Sequence, residues 1–110
     1  MEYLGEFEQV ILFSVLQLDD AAFGLGIRED IEARTGRVVS SGAIYTALGR
    51  MERKALVVSR LGDPVAGRAG RPRKYYELTT AGARALHASL QTVQAMSEGL
   101  LPRLTKLAEG

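Results

Sequence analysis

The apolar positions in the first third of the chain predict two helices. Apolar residues recur there at three- and four-residue spacing, which places them on one helical face: Leu4, Phe7, Val10, Ile11, Val15 and Leu18. Residues 24–35 carry a weaker pattern of the same period, in which Ile27 and Ile31 share a face. Gly36 follows and suits the left-handed conformation that ends many helices.

A third helix is predicted from Ser40 or Ser41, because either serine suits an N-cap. Its apolar residues form one stripe at helical spacing: Ile44, Leu48, Met51 and Ala55. The opposite face combines small, hydroxyl-bearing and basic side chains: Ser41, Gly42, Tyr45, Thr46, Gly49, Arg50 and Arg53. Small residues allow close approach, hydroxyls form hydrogen bonds and cations attract phosphate. This face is typical of a helix that lies in a DNA groove.

A β-hairpin is predicted after the third helix. Residues 56–61 are rich in β-branched side chains, and residues 73–78 have the composition of a second strand. The loop between them, residues 62–72, contains too many glycines and prolines for a helix. Tyr75 and Tyr76 have opposite parity, so we expect one to be buried and the other exposed. The sequence leaves open which is which.

The last predicted helix begins at Thr79 or Thr80 and carries a long apolar seam. Its residues alternate three- and four-residue spacing over three heptads, as in a coiled coil: Leu86, Leu90, Val93, Leu100, Leu104 and Leu107. Gly99 and Pro102 predict a kink within it. We interpret the seam as a dimerisation surface. The alternative is that this helix packs only on its own domain.

The fold class that follows is mainly α with a small β-hairpin. The order of three helices, a hairpin and a last helix is that of a winged helix-turn-helix plus a C-terminal dimerisation helix. We expect residues 1–79 to form the DNA-binding domain and residues 80–110 the dimerisation helix.

Charge is sorted along the chain, although the net charge is only +1. Residues 50–74 contain eight basic and two acidic residues, a local charge of +6. Such a segment favours a polyanionic partner, here double-stranded DNA. The alternative is a solvated charged surface.

The composition argues against several other classes of protein. The chain has no cysteine and one histidine, His87, so thiolate zinc sites, histidine metal sites and common catalytic triads lack their residues. We therefore expect no enzyme activity, no metal and no cofactor. The longest apolar stretch is too short to span a bilayer, and the first residues lack the basic region of a signal peptide. These features predict a cytoplasmic protein without a membrane partner.

Two motifs resemble those of PadR-type transcriptional regulators. Residues 40–57 (SSGAIYTALGRMERKALV) resemble the recognition-helix segment of that family, and residues 70–82 (GRPRKYYELTTAG) resemble its wing. The single terminal helix resembles the shorter branch of the family. The resemblance implies a repressor that binds a two-fold operator as a homodimer. It also implies that the first helix, at Leu4, Phe7 and Ile11, joins the last helix in the interface.

The resemblance and the residue types together predict a set of DNA contacts. We expect the first half of the third helix to enter the major groove and the wing to follow the backbone or a narrow minor groove. For Tyr45, two interpretations stay open: a hydroxyl bonded to phosphate, or a ring packed between helix and wing. The expected DNA-binding residues are Ser40, Ser41, Gly42, Ala43, Tyr45, Thr46, Arg50 and Arg53 on the helix, with Arg68, Arg71, Arg73 and Lys74 in the wing.

Three features depart from the family pattern. Thr46 stands where the family commonly has proline, and Ala55 stands where it has a glycine that ends the recognition helix. If Ala55 is left-handed, it should cost about 1 kcal/mol relative to glycine. Drug-binding relatives stack a flat ligand on tryptophan, which this chain lacks.

Two further functions remain as hypotheses at the level of sequence. Some relatives release DNA on binding a phenolic or drug-like molecule, so a small apolar effector could lie between Phe7, Ile11 and the last helix. A winged domain that has lost DNA binding and acts as an adaptor is the alternative from another class. The density of cations in the wing argues against the adaptor.

Overall fold

The computed structural model describes residues 3–64 and 72–110. Within them the chain forms helices α1 (Glu6–Leu18), α2 (Gly24–Thr35), α3 (Ser41–Arg53), α4 (Thr80–Ser97) and α5 (Leu101–Ala108). A 3₁₀ turn at Asp19–Ala21 follows α1. Strands β1 (Val57–Pro64) and β2 (Pro72–Leu78) lie between α3 and α4. The fold is mainly α with a small β-hairpin, as the sequence predicts, and it is a winged helix fold.

The core lies where α1, α2 and α3 meet the base of the hairpin. Helices α1 and α2 contribute the apolar stripes expected from their sequences, and α3 contributes Ile44, Leu48 and Met51 of its expected stripe. The assignment of Ala55 to that stripe was wrong, because Ala55 lies beyond the end of α3 and is exposed. The largest fully buried side chains are Ile11, Leu12, Ile27, Ile31, Ile44, Leu48, Met51 and Val57. Burial of this kind stabilises by about 1.5–3 kcal/mol per large apolar side chain. The core therefore holds α3 with one face inward and the other toward solvent.

Local capping sets the limits of the helices. The Ser40 Oγ accepts a hydrogen bond from the Ala43 amide at 3.1 Å, so Ser40 is the N-cap of α3. Gly36 ends α2 with φ 74°, as expected. The Thr79 Oγ1 accepts from the Gly82 amide at 3.0 Å and starts α4. The helix ends are thus determined by side chains close in sequence.

The C-terminal end of α3 is a Schellman motif centred on Ala55. The Ala55 amide donates to the Glu52 carbonyl at 3.0 Å, and the Leu56 amide donates to the Met51 carbonyl at 2.9 Å. Ala55 has φ 61°, a left-handed conformation that favours glycine. The condition stated for this position is met, because Ala55 is left-handed, and the expected energetic cost stays a prediction.

The hairpin extends further than its sequence suggests. β1 pairs antiparallel with β2 from Val57↔Leu78 to Pro64↔Pro72, with a register shift after Leu61. The predicted loop 62–72 is therefore too long at both ends, because strand pairing persists through residues with weak strand propensity. A third short segment joins the sheet, since the Tyr76 amide donates to the Ala22 carbonyl at 2.8 Å.

The burial of the two tyrosines is decided by this sheet. Tyr76 is buried against the core, and Tyr75 is half-buried on the opposite face. Tyr75 forms an isolated bridge with Phe23, the residue that precedes α2. The expectation that one tyrosine is buried is confirmed, although the other is only partly exposed.

The prediction of a single C-terminal helix is wrong, because the structure has two helices there, α4 and α5. α4 ends at Ser97, Gly99 adopts φ 75°, and α5 begins at Leu101. Pro102 lies in the first turn of α5, where a missing amide costs no helical hydrogen bond. The kink expected at Gly99 and Pro102 is therefore a complete interruption. The apolar seam is divided between two helices.

A close backbone approach holds α4 to the hairpin. A Cβ on Gly82 would lie 2.0 Å from the Leu56 carbonyl oxygen, a distance that no side chain tolerates. The Thr79 amide donates to the same carbonyl at 3.1 Å, and the Thr79 hydroxyl donates to the Ala55 carbonyl at 2.7 Å. In residues 3–64 and 72–110, no helix has the length and hydrophobicity needed to cross a membrane.

Candidate nucleic-acid interface

The exposed face of α3 is the centre of the candidate interface. Ile44, Leu48 and Met51 turn inward and are fully buried. The opposite side is open to solvent over the residues predicted for DNA contact: Ser40, Ser41, Gly42, Ala43, Tyr45, Thr46, Arg50 and Arg53. An ideal Cβ on Gly49 would lie 3.5 Å from Nη1 of Arg53, so this guanidinium lies back along the exposed face. The face offers small residues, hydroxyls and a cation, as its sequence predicts.

Tyr45 packs against the start of α2 and remains half exposed. An ideal Cβ on Gly24 would lie 2.4 Å from the hydroxyl and from Cζ of Tyr45, so the tip of the ring rests on the Gly24 backbone. The side chain nevertheless keeps 51% of its surface exposed. The ring therefore joins α3 to α2, and neither of the two interpretations placed it there.

Two of the predicted wing cations can be located. The Arg73 guanidinium lies over the Phe23 ring, with Cζ 4.2 Å from the centroid. The Lys74 Nζ lies 3.2 Å from the Glu52 Oε1 of α3. Arg68 and Arg71 lie outside the described residues, as do the other residues between 65 and 71.

Glu52 connects the wing to α3 through two partners. It accepts hydrogen bonds from the Ser59 hydroxyl of β1 and from Lys74 of β2. The Ser59 hydroxyl, and next the Lys74 ammonium, hold the pKa of Glu52 below its ordinary value. The Glu52 carboxylate in turn raises the pKa of Lys74. Lys74 thus serves an internal contact, in addition to any contact with DNA.

Arg50 also has an internal partner. Its Nε lies 3.4 Å from the Glu8 Oε2, and Glu8 is buried at the start of α1. The other Glu8 oxygen accepts from the Gly5 amide at 3.0 Å. Because removing a partner from a buried carboxylate is costly, this pair ties α3 to α1. The sequence reading of Arg50 as a simple phosphate clamp did not include this role.

Arg28 is a positioning residue that the sequence reading missed. Its Nε donates to the Val39 carbonyl at 2.9 Å, and its Nη1 lies 3.5 Å from the Ser41 Oγ. These contacts hold the turn between α2 and α3 and therefore the start of α3. The sequence carries no clear signal for this role, because Arg28 lies among charged residues that look solvated.

The residues predicted for a dimer interface fall into two groups. Leu4, Ile11 and Leu86 are buried in the protomer's own core, and Phe7 is half-buried. The remaining five are exposed on α4, α5 and the residue that precedes α5: Leu90, Val93, Leu100, Leu104 and Leu107. The structure therefore leaves the distal part of the seam uncovered in a single chain.

A groove lies beside the proximal end of this seam. It has a volume of about 160 Å³ and is lined by residues from the start of the chain, α1 and α4: Tyr3, Leu4, Gln9, Ala88, Ser89, Thr92 and Val93. Within the described parts of the chain, no three potential metal ligands of the His, Cys, Asp or Glu type come together.

Comparisons with known proteins agree with this geometry. The model of the Transcriptional regulator PadR-like family matches residues 12–88. A PadR-like transcriptional regulator from Bacillus cereus is 27% identical with a TM-score of 0.69, and the match covers 94% of this chain and 92% of that one. A PadR family regulator from Clostridium difficile is 26% identical with a TM-score of 0.69, covering 89% and 98%. No curated protein sequence gives a significant match.

Proposed function

The chain belongs to the PadR-like family of transcriptional regulators, and we propose that it represses transcription as a homodimer bound to a two-fold DNA operator. The observation that carries the proposal is the exposed face of α3, which the core holds outward beside a basic hairpin. Helices presented in this way enter the major groove in helix-turn-helix proteins.

In this proposal α3 reads the bases through its first two turns. Gly42 and Ala43 allow close approach, and Thr46 offers both a hydroxyl and a methyl group to base edges. Tyr45 rests on Gly24 and keeps about half of its surface exposed, and in this proposal that exposed part contacts the phosphate backbone that flanks the groove. Arg53 supplies a phosphate contact along the same face.

The wing supplies contacts that do not depend on sequence. Arg73 and Lys74, with Arg68 and Arg71, neutralise phosphates on the backbone next to the major-groove site. An arginine of this segment could also enter a narrow minor groove, where the negative potential is strongest. Because Lys74 already pairs with Glu52, we expect it to contribute less to DNA affinity than Arg73.

The homodimer is proposed to form through α4 and α5. Leu90, Val93, Leu100, Leu104 and Leu107 leave apolar surface exposed along these helices, and such patches are uncommon on monomers. A two-fold pairing of this surface would place two α3 helices on successive turns of one face of DNA. Buried Leu4, Ile11 and Leu86 support that surface from within the protomer.

A small apolar effector is the remaining part of the proposal. The groove of about 160 Å³ that adjoins the proposed dimer surface is lined by the start of the chain, α1 and α4, but not by the expected Phe7 and Ile11, and Ile11 is fully buried. A ligand there would alter the packing of the two protomers and so the spacing of their α3 helices. Binding would raise the melting temperature by mass action, and a screen of phenolics and cationic dyes with no shift would contradict this part.

The experiment that tests the main proposal is fluorescence anisotropy across a salt series. The purified protein is titrated into its own upstream DNA and into a scrambled duplex of the same length. A repressor binds its own DNA more tightly, with an affinity that falls steeply as salt rises. Equal and weak binding to both duplexes would favour the adaptor.

Two charge variants sharpen this test. Arg53→Gln should weaken binding to both duplexes and reduce the slope of log affinity against log salt by about 0.9 for one lost phosphate contact. Lys106→Gln removes the same charge from α5 and should leave the slope unchanged. Equal slopes for the two variants would contradict the assignment of Arg53.

A further inference from the structure

Two arginines flank two aromatic rings where the hairpin meets the start of α2. Arg73 lies over Phe23 at 4.2 Å, and Arg60 lies over Tyr75 at 4.7 Å, each measured from Cζ to the ring centroid. The two rings meet edge to face, with centroids 5.8 Å apart and planes inclined by 64°. These four residues, Arg73, Phe23, Tyr75 and Arg60, are called the arginine–aromatic ladder below.

The rings of the ladder are held by the backbone around them. Phe23 and Tyr75 are partners in a β-bridge, and Arg60 pairs with Tyr75 across the hairpin. An ideal Cβ on Gly62 would lie 2.5 Å from the Tyr75 ring, and one on Gly26 would lie 3.0 Å from the Phe23 ring. Both rings therefore rest on glycine backbone and have little freedom to move.

The ladder carries two positive charges. Among the described residues, neither Arg60 nor Arg73 forms an ion pair. Stacking on a ring face holds a guanidinium through its plane and leaves its edge available for other groups. The Nε of Arg73 is buried and lacks a hydrogen-bond partner within the described chain.

The ladder lies close to the proposed DNA surface. Phe23 directly precedes α2, and Tyr45 of α3 covers the next residue, Gly24. Arg73, which lies over Phe23, is therefore next to the contact between Tyr45 of α3 and Gly24 of α2. When a duplex binds the exposed face of α3, one of its backbone phosphates would lie close to Arg73.

We propose that Phe23 and Tyr75 are positioning residues that hold Arg73 and Arg60 ready to bind a backbone phosphate of duplex DNA. This inference rests on the proposed DNA-binding function. Preorganised guanidinium groups lose less side-chain entropy on binding than free arginines do, so the rings contribute to affinity without contacting DNA.

The test measures the salt dependence of binding for variants with unchanged charge. Phe23→Leu keeps a large apolar side chain and removes the ring face under Arg73. Against a fluorescein-labelled duplex of scrambled sequence, it should weaken binding at each salt concentration with little change in the salt slope, because the charge of Arg73 is kept. Arg73→Gln should weaken binding and also reduce the slope by about 0.9. Phe13→Leu, which removes a half-buried ring from α1, is the matched control and should leave the affinity unchanged.

A double-mutant cycle separates positioning from general destabilisation. In the Arg73→Gln background, Phe23→Leu should have no further effect on the slope or the affinity. Additive losses of affinity, or a Phe23→Leu affinity equal to that of the unmodified protein, would overturn the inference. Thermal melts of each variant verify that it is folded at the assay temperature.

The outcomes also distinguish this inference from the function on which it rests. If the unmodified protein binds neither duplex, the proposed function fails. If it binds with a steep salt dependence and Phe23→Leu leaves its affinity unchanged, the ladder alone fails. Tyr75→Leu tests the Arg60 arm in the same way, with Arg60→Gln as the partner of its cycle.

Discussion

Replacing Ala55 with glycine should stabilise the protein. Ala55 has φ 61° and lies exposed at the end of α3, so its methyl group adds strain without adding buried surface. A left-handed conformation costs a residue with a Cβ roughly 1–2 kcal/mol. Glycine lowers this cost but gives the unfolded chain more entropy, which offsets about 0.4–1 kcal/mol. The net gain in free energy of unfolding is therefore expected to be about 0.5–1 kcal/mol.

The assay for Ala55→Gly is urea denaturation at a single protein concentration, because dimerisation would make stability depend on concentration. The midpoint should rise while the slope of unfolding free energy against urea stays constant. Ala83→Gly is the matched control, because Ala83 is exposed inside α4, where glycine should cost about 0.5–1 kcal/mol. Destabilisation by both substitutions would refute the argument from the left-handed conformation.

Three further predictions follow from individual contacts. Gly82→Ala should destabilise severely, because its Cβ would meet the Leu56 carbonyl oxygen at 2.0 Å, and thermal melting will measure the loss. The pKa of Glu52 is lowered in the folded state, so its stabilising effect is present above the ordinary value of 4.5 and is lost as pH falls through the lowered value. Melting temperatures of Glu52→Gln should therefore depend less on pH in the acid range than those of the unmodified protein. Leu104→Glu should convert the proposed dimer to monomers, as measured by light scattering after gel filtration.

Each of these predictions has a control and a contradicting result. Gly42→Ala places a Cβ 4.0 Å from its nearest neighbour within α3 and should keep or raise the melting temperature, so an equal loss for both glycines would refute the close approach. Glu32→Gln, which removes an exposed carboxylate from α2, is the control for Glu52→Gln. If the melting temperatures of the two variants depend on pH in the same way, the argument from the Glu52 contact is refuted. Leu16→Glu is the control for Leu104→Glu, because it alters an exposed leucine outside the seam. A Leu104→Glu protein that stays dimeric would exclude α5 from the interface.

The first three helices and several of their ends were within reach of sequence analysis. Gly36 and Ser40 could be placed because caps and left-handed turns depend on residues within about five positions of one another. The left-handed turn at Ala55 was expected only from the family resemblance, since the apolar spacing placed Ala55 in the buried stripe. The buried stripe of α3 followed from its period, and with it the exposed face now proposed to bind DNA. These features need no knowledge of distant parts of the chain.

The C-terminal seam shows how local patterns can mislead. A heptad repeat identifies which residues share a face only while the helix continues. The sequence marked Gly99 and Pro102 as a weak point, yet the apolar spacing continued across them. The left-handed conformation of Gly99 interrupts the helix, so the register counted through it does not describe one surface.

By itself the sequence determined the order of the elements, the inward face of each helix and the basic character of the hairpin. Only the tertiary structure decided which charges are engaged and which aromatic rings support them. Arg50 reaches Glu8 on α1, and Arg73 stacks on Phe23, in each case across more than forty residues of chain. The reason is physical: hydrogen-bonding periods and caps act over a few residues, whereas the pairing of side chains depends on which elements the core brings into contact.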